Sequence, residues 1–142
     1  MSGQEDLDLI GAWRLVGAYV VDQESGNRLD TYGAEPFGVA VFEANGRMIA
    51  MLIASDRSPI ASEADMARRF KSMVAYTGTW SFDGKELVTK VDGAWDPSWI
   101  GTEQVRYCTF DGHKLSIRTA PIANRVVLGQ HVIGYLDWER EP

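Results

Sequence analysis

Apolar and polar residues alternate along most of this chain of 142 residues. Alternation with a period of two places successive side chains on opposite faces of a strand, so each alternating run predicts a half-buried β-strand. About nine strands are predicted in this way, at 11–22, 28–32, 37–44, 47–55, 77–82, 86–95, 102–110, 114–119 and 125–138.

Three dipeptides mark tight turns between these runs, namely Asn45-Gly46, Asp83-Gly84 and Asp111-Gly112. Asn-Gly and Asp-Gly supply the positive φ angles that two-residue hairpin turns require, so the paired strands are expected to be antiparallel. Many short strands in one chain predict an all-β fold. We expect an antiparallel up-and-down barrel of about eight to ten strands, because closing a sheet removes its aggregation-prone edges.

The segment 62–75 breaks the β pattern. Met66, Phe70 and Met73 recur there at helical spacing, and Ser62 and Asp65 are placed as in a capping box. This predicts one short amphipathic helix over 62–75. No repeat, linker or composition shift divides the chain, so a single domain over 1–142 is expected.

The connections are expected to divide between the two ends of the barrel. Strict up-and-down order places the tight turns 24–27, 45–46, 83–84 and 111–112 at one end. The longer connections 32–36, 95–99 and 120–124, together with the helix, then lie at the other end. Longer loops usually carry binding chemistry, so their end is the first candidate for a functional face. In the alternative, the helix plugs that end and a ligand enters between the tight turns.

Charge and composition narrow the classes of partner. The formal net charge is −6, which disfavours nucleic acid and anionic membranes as partners. No apolar run approaches the roughly 20 residues of a membrane span. Cys108 is the single cysteine and the first residues are acidic, so a cytoplasmic location is expected. Two histidines without nearby ligands and the lack of nucleotide motifs predict no metal and no cofactor.

Several motifs resemble those of the lipocalin-like domain family. Gly11-Ala12-Trp13 matches the G-x-W signature of lipocalin barrels, and the run 95–107, WDPSWIGTEQVRY, is similar to a W-x-P-x-W-x-G-T-x-Q-x-R block. The resemblance covers nearly the whole chain and implies a lipocalin-like barrel. Members of that family often carry histidine near Thr89-Lys90, where this chain has none.

Gln104 and Arg106 are the polar candidates for a binding site. Alternation places them on the same strand face as Cys108 and Phe110, inside the barrel. A buried guanidinium needs an acceptor, which a carboxylate, enolate or phenolate oxygen of a ligand would supply, with Gln104 donating alongside. In the structural alternative, Arg106 packs over Trp13, a role that Arg140 could also fill.

Aromatic side chains are the second set of ligand-binding candidates. Tyr76 and Trp80 share one strand face, and Trp95 and Trp99 flank Pro97 in a long connection. Apolar, aromatic walls with a few polar groups are typical of ligand pockets. These rings could equally fill the barrel, and a solid interior would be packed by four of the chain's aromatic residues, namely Trp80, Phe82, Phe110 and Trp138.

The leading interpretation is a barrel that binds a small hydrophobic molecule with an acidic or carbonyl oxygen. The alternative is a cofactor-free isomerase or cyclase that acts on a polyketide or aromatic intermediate in the same cavity, because a dry pocket can fix a reactive conformation. Whether the chain is an enzyme and whether it forms oligomers are left open at this point.

Overall fold

The strands follow the alternating runs of the sequence. The computed structural model describes residues 9–119, 122–123 and 131–142. Within those residues the strands are β1 (Gly11–Asp22), β2 (Arg28–Asp30), β3 (Phe37–Phe42), β4 (Arg47–Ile53), β5 (Met73–Phe82), β6 (Glu86–Ala94), β7 (Glu103–Asp111), β8 (Lys114–Arg118), β9 (Ile122–Ala123) and β10 (His131–Arg140). They are joined by one α-helix, α1 (Glu63–Lys71), and one 3₁₀ helix (Pro97–Trp99).

The sheet closes on itself through β1. This strand pairs with β3 on one side and with β10 on the other, so β1, β3 to β8 and β10 form an eight-stranded ring with antiparallel neighbours. The short strand β2 pairs with β1, and the short strand β9 pairs with β10. The predicted all-β antiparallel barrel with one short helix is therefore confirmed.

Three hairpin turns define one end of the barrel, called the turn end here. They are the predicted turns 45–46, 83–84 and 111–112, and their glycines have positive φ angles of 93°, 99° and 54°. The opposite end, called the loop end, carries α1, the 3₁₀ helix and the residues around Tyr32, whose carbonyl accepts a hydrogen bond from Ser55 N at 2.9 Å.

The turn 24–27 lies at the loop end, so its predicted placement with the other tight turns was wrong. β2 and β3 both run antiparallel to β1 and pair with different halves of it. The chain therefore runs from the loop end toward the turn end in two successive strands, β2 and then β3. The direction of the chain does not reverse between these two strands, so a strict up-and-down order misplaces the turn before them. Of the predicted 120–124 connection and 125–138 strand, residues 120–121 and 124–130 lie outside the described residues.

The helix is shorter than predicted. Ser62 caps α1 by accepting a hydrogen bond from Asp65 N, as the sequence indicated, but the helix ends at Lys71 rather than at 75. Met73 and Val74 instead begin β5 and pair with Ile53 and Leu52 of β4. Their helical spacing to the apolar residues of α1 was outweighed by pairing with β4.

A hydrophobic core fills the turn end. Trp13 is fully buried, donates its indole N–H to Leu9 O at 2.9 Å, and meets Phe110 edge to face with ring centroids 6.1 Å apart. Phe82 and Leu115 are buried in the same cluster. Each fully buried side chain of this size contributes about 1.5–3 kcal/mol, so the turn end is a packed base for the rest of the barrel.

Candidate functional site

The loop-end half of the barrel encloses a cavity of about 390 Å³. Phe42, Met48 and Trp138, which belong to the hydrophobic core, line the cavity on its turn-end side. The interpretation of a solid barrel is therefore wrong, although the four aromatic residues proposed to fill it do belong to the core or pack against it. The helix does not plug the cavity, because no residue of α1 is buried.

Two alanines create the space on one wall. Ala40 of β3 and Ala50 of β4 are directly opposed across the strand pair, and both line the cavity. They are only 2% and 4% exposed, so they face the interior. Larger side chains at these inward positions would occupy the volume that the cavity now holds.

Arg106 stands on the wall of this cavity, half-buried on β7. Its Nη1 donates to Val105 O at 2.9 Å and its Nη2 donates to Gln104 Oε1 at 2.7 Å. Burial lowers the pKa of the guanidinium, yet arginine remains charged in proteins. Among the described residues no carboxylate forms an ion pair with Arg106.

Gln104 links Arg106 to the loop above it. Its Nε2 donates to Thr102 Oγ1 at 2.9 Å, and that hydroxyl donates to Trp99 O at 2.6 Å. Gln104 does not itself line the cavity. The series of hydrogen bonds therefore makes Gln104 a support that fixes the guanidinium relative to the 3₁₀ helix.

Among the residues that line the cavity, Tyr32, Tyr76 and Thr89 carry hydroxyls with no hydrogen-bond partner among the described residues. Burial raises the pKa of both tyrosines, so their hydroxyls stay protonated and able to donate. The charge of Arg106 lowers the pKa of Tyr76 by a smaller amount, which is consistent with its position near that ring. The polar part of the wall is thus rich in donors.

The predicted aromatic residues separate into two groups. Tyr76 and Trp99 line the cavity with ring centroids 5.3 Å apart, and Trp95 packs against Trp99 at 5.0 Å without lining it. Trp95 also donates its indole N–H to Phe70 O at 3.1 Å, which ties α1 to the loop. Trp80 lies away from the cavity wall, edge-on to Phe42 at 5.2 Å, with its N–H bonded to Glu43 O.

Arg140, rather than Arg106, packs over Trp13. Its guanidinium carbon lies 4.3 Å from the centroid of the Trp13 ring, and its Nη1 donates to Ile10 O at 2.9 Å. The structural role that the sequence allowed for either arginine is therefore taken by Arg140. Arg106 is left on the cavity wall.

Sequence reasoning did not single out Thr89, Ala40, Ala50 or Tyr32, which belong to the cavity wall. Thr89 is 2% exposed, and the residues two positions before and after it in β6 are buried and apolar. The alternation of this strand could therefore have placed the Thr89 side chain inside the barrel. Ala40 and Ala50 face the barrel interior, as Phe42 and Met48 do. A small inward-facing residue does not by itself predict a cavity, because the size of the residues on the facing strands decides whether space is left. Tyr32 lies in a connection, where no periodicity applies.

Metal-ligand clusters and membrane-spanning helices were sought in the part of the chain that the structure describes. No group of three or more His, Cys, Asp or Glu side chains is placed there to hold an ion. None of the helices found there is long and apolar enough to cross a bilayer. Cys108 is buried, and burial raises the pKa of its thiol to about 12, so it is not a nucleophile at neutral pH.

Comparison with family models gives a match over nearly the whole chain. A family model described as a lipocalin-like domain matches residues 10–141. No curated protein matches the chain. The matched range includes every strand of the barrel and every residue of the cavity wall.

Proposed function

Because the chain belongs to the lipocalin-like domain family, we propose that its cavity binds a small hydrophobic molecule that carries an acidic or carbonyl oxygen. Small-molecule binding in general follows from a lipocalin-like barrel that encloses a cavity. The finer proposal, the chemistry of the ligand, comes from the side chains of the wall.

Arg106 carries the proposal. A guanidinium has five N–H donors, and two of them are used by Val105 O and Gln104 Oε1. Three donors remain on a charged group that has no acidic partner among the described residues. An oxygen anion or carbonyl of a ligand at this point would satisfy the charge and form charge-assisted hydrogen bonds.

The remaining wall supports the same class of ligand. Tyr32, Tyr76 and Thr89 add donors rather than carboxylates, so a molecule with several oxygen acceptors fits better than one with ammonium groups. Ala40, Ala50 and the neighbouring aliphatic residues would cover the hydrophobic part of such a molecule. A volume near 390 Å³ corresponds to a small ligand, since ligand pockets run from about 300 to about 1,000 Å³.

Binding is proposed ahead of catalysis because of the composition of the wall. An isomerase or cyclase that moves a proton needs a group to accept it, and the described cavity lining contains no carboxylate and no imidazole. The neutral Tyr76 and the charged Arg106 can polarise a carbonyl, but both are donors. A ligand-binding role uses these donors without requiring a base.

A pair of fluorescent probes tests the proposal. Anilinonaphthalene sulfonate carries an anion, and N-phenyl-1-naphthylamine is the same ring system without the sulfonate. We expect Arg106→Met to weaken binding of anilinonaphthalene sulfonate by about 1.5–3 kcal/mol, or roughly 10- to 150-fold. This is the range for a hydrogen bond to a charged group. Affinity for the uncharged probe should change less than about threefold, because apolar contacts are retained.

The matched control is Arg14→Met. It removes the same charge from an outward-facing arginine that pairs with Glu139 at 3.3 Å on the surface. Both probes should bind this variant as they bind the wild type. A specific role for Arg106 would be contradicted if Arg106→Met lost equal affinity for the two probes. It would also be contradicted if Arg14→Met lost affinity for the sulfonate probe.

A further inference from the structure

The ionisable side chains on the described lining of the cavity are arginines and tyrosines, namely Tyr19, Tyr32, Tyr76, Arg106, Arg118 and Tyr135. Tyrosine is neutral near pH 7, so the charge on this lining is positive. Arg118 has the outward side-chain direction of its strand β8 and donates to Thr109 Oγ1 at 3.3 Å. Among the described residues, Arg106 is therefore the charge that faces the cavity.

Acidic groups nearby do not compensate this charge. The described lining contains no Asp, Glu or His side chain. Asp22 is a buried carboxylate of β1, but it lies off the lining and accepts a hydrogen bond from Glu24 N at 2.9 Å. The thiol of Cys108 is neutral, because burial raises its pKa to about 12. An anionic atom that enters beside Arg106 is therefore attracted, and no described residue of the lining repels it.

Thr89 adds a neutral donor to the same part of the wall. It is 2% exposed and pairs with Gln104, whose Oε1 accepts a hydrogen bond from Arg106 Nη2 at 2.7 Å. Directly opposed residues of antiparallel strands point to the same face of the sheet, with Cβ atoms about 4.5–5.5 Å apart. The Thr89 side chain therefore lies beside the amide that holds the guanidinium. Its hydroxyl has no hydrogen-bond partner among the described residues and is free to donate.

Tyr76 supplies a further neutral donor. It lines the cavity close enough to Arg106 for the two side chains to interact electrostatically. Because β5, β6 and β7 are neighbours in the barrel, one section of the wall holds a charged donor and two neutral ones. The rings of Tyr76 and Trp99 border this section, with centroids 5.3 Å apart. Aromatic walls favour a flat conjugated body, and the donors favour an anionic oxygen attached to it.

We propose that the cavity holds a weakly acidic hydroxyl, that of a phenol or an enol, as its oxyanion, an inference that rests on the proposed function. On binding, the O–H bond of the ligand breaks and the proton passes to solvent, since the described lining offers no base. The electron pair left on the oxygen accepts hydrogen bonds from Arg106, Thr89 and Tyr76. An opposite charge nearby favours the ionised form of an acid by about one to three pKa units. The anion should therefore bind about 10- to 1,000-fold more tightly than the neutral molecule.

7-Hydroxycoumarin tests this inference, because its phenol and phenolate forms absorb at different wavelengths. Its absorbance is followed from about pH 5 to about pH 9 with the full chain in excess. We expect the pKa of the bound dye to lie about one to three below that of the free dye. The methyl ether 7-methoxycoumarin has the same rings and no ionisable proton, so its affinity should not depend on pH in this range.

Two variants and a matched control locate the effect. Arg106→Met should return the pKa of the bound dye to within about 0.5 of the free value, because the opposite charge is gone. Thr89→Val keeps the shape of the side chain and removes its hydroxyl, so affinity for the phenolate should fall at least about tenfold. Both variants should bind 7-methoxycoumarin within about threefold of the wild type. The control is Thr79→Val, at an exposed threonine of β5, and it should match the wild type with both dyes.

The inference is overturned if the bound phenol keeps its proton while 7-methoxycoumarin and anilinonaphthalene sulfonate bind, and the proposed function would then stand. Equal losses of the two coumarins in Thr89→Val would also overturn it, because the hydroxyl would then act through packing. Tighter binding of coumarin-3-carboxylate than of 7-hydroxycoumarin, at a pH where both are ionised, would show that the cavity selects a carboxylate instead. If none of these probes binds, the proposed function and this inference fail together.

Discussion

The guanidinium of Arg140 lies 4.3 Å above the ring of Trp13, near the point where the two ends of the described chain meet. Trp13 pairs with Arg140 across β1 and β10, the strand pair that closes the barrel. The arginine is thus part of the closure of the fold. Its occupation of this position is the reason that Arg106 can be assigned to the cavity.

Arg140→Met is expected to destabilise the protein more than Arg106→Met. The first change removes a cation–π contact and a hydrogen bond to Ile10 O, together about 1–2 kcal/mol. The second removes a half-buried charge without an acidic partner among the described residues, so its cost should be below about 1 kcal/mol. Urea unfolding of the two variants measures the difference, and the reverse order would make Arg106 a structural residue.

Ala50→Leu should narrow the cavity without harming the fold. Ala50 lines the cavity and is paired with Tyr76, so a leucine would enter the empty volume beside that ring. The free energy of unfolding should stay unchanged or rise, at about 0.8 kcal/mol per methylene that becomes buried. Affinity for anilinonaphthalene sulfonate should fall at least about tenfold, since the added carbons compete with the probe.

The control for this prediction is Ala12→Leu, an alanine on the outer face of β1. It adds the same carbons away from the cavity, and probe affinity should not change. Unaltered probe binding by Ala50→Leu would mean that the probe does not occupy the space beside Ala50.

Gly78→Ala is expected to destabilise the protein by more than about 2 kcal/mol. A Cβ at this position would overlap the backbone carbonyl of Lys90, where β5 and β6 approach each other at an irregularity in their register. Backbone atoms cannot rotate out of the way as a flexible side chain can. Gly134→Ala is the comparison, because its nearest neighbour would be Thr119 Oγ1 at 3.6 Å, an ordinary contact. Thermal unfolding should separate the two variants clearly, and equal melting temperatures would contradict the predicted clash.

Cys108 should be inert in the folded protein and should make stability depend on pH at the alkaline end. Burial raises the pKa of its thiol from 9.0 to about 12, so between these values the folded state holds a proton that the unfolded state releases. This contribution to stability is complete below pH 9 and is lost as the pH rises toward 12. Ellman's reagent at pH 8 should label the native protein slowly and the urea-unfolded protein at once, and rapid labelling of native protein would show that the thiol is accessible.

A Cys108→Ala variant isolates this contribution. Its unfolding free energy should fall less steeply than that of the wild type between pH 9 and pH 12. Parallel curves for the two proteins would indicate that other groups, such as the buried tyrosines, dominate the alkaline transition.

The sequence alone determined most of the strands, the three glycine turns and the class of fold. These features arise from interactions between residues close in the chain: alternation decides which face of a strand is apolar, and Asn-Gly or Asp-Gly fixes a hairpin. The alternation of side-chain direction along the strand also predicted that Arg106 points into the barrel, as Cys108 does. These rules are local, because they depend on the backbone conformations and side-chain directions of residues that are neighbours in the sequence.

Only the tertiary structure decided how distant segments meet. Met73 has helical spacing to the apolar residues of α1, yet it belongs to a strand because Ile53 of β4 pairs with it. The turn 24–27 lies at the loop end because two successive short strands share β1 as their partner. The choice of Arg140 over Arg106 as the partner of Trp13, and the space left by Ala40 beside Ala50, follow from strand register around a closed barrel. Register depends on contacts between residues far apart in the chain, which no local pattern specifies.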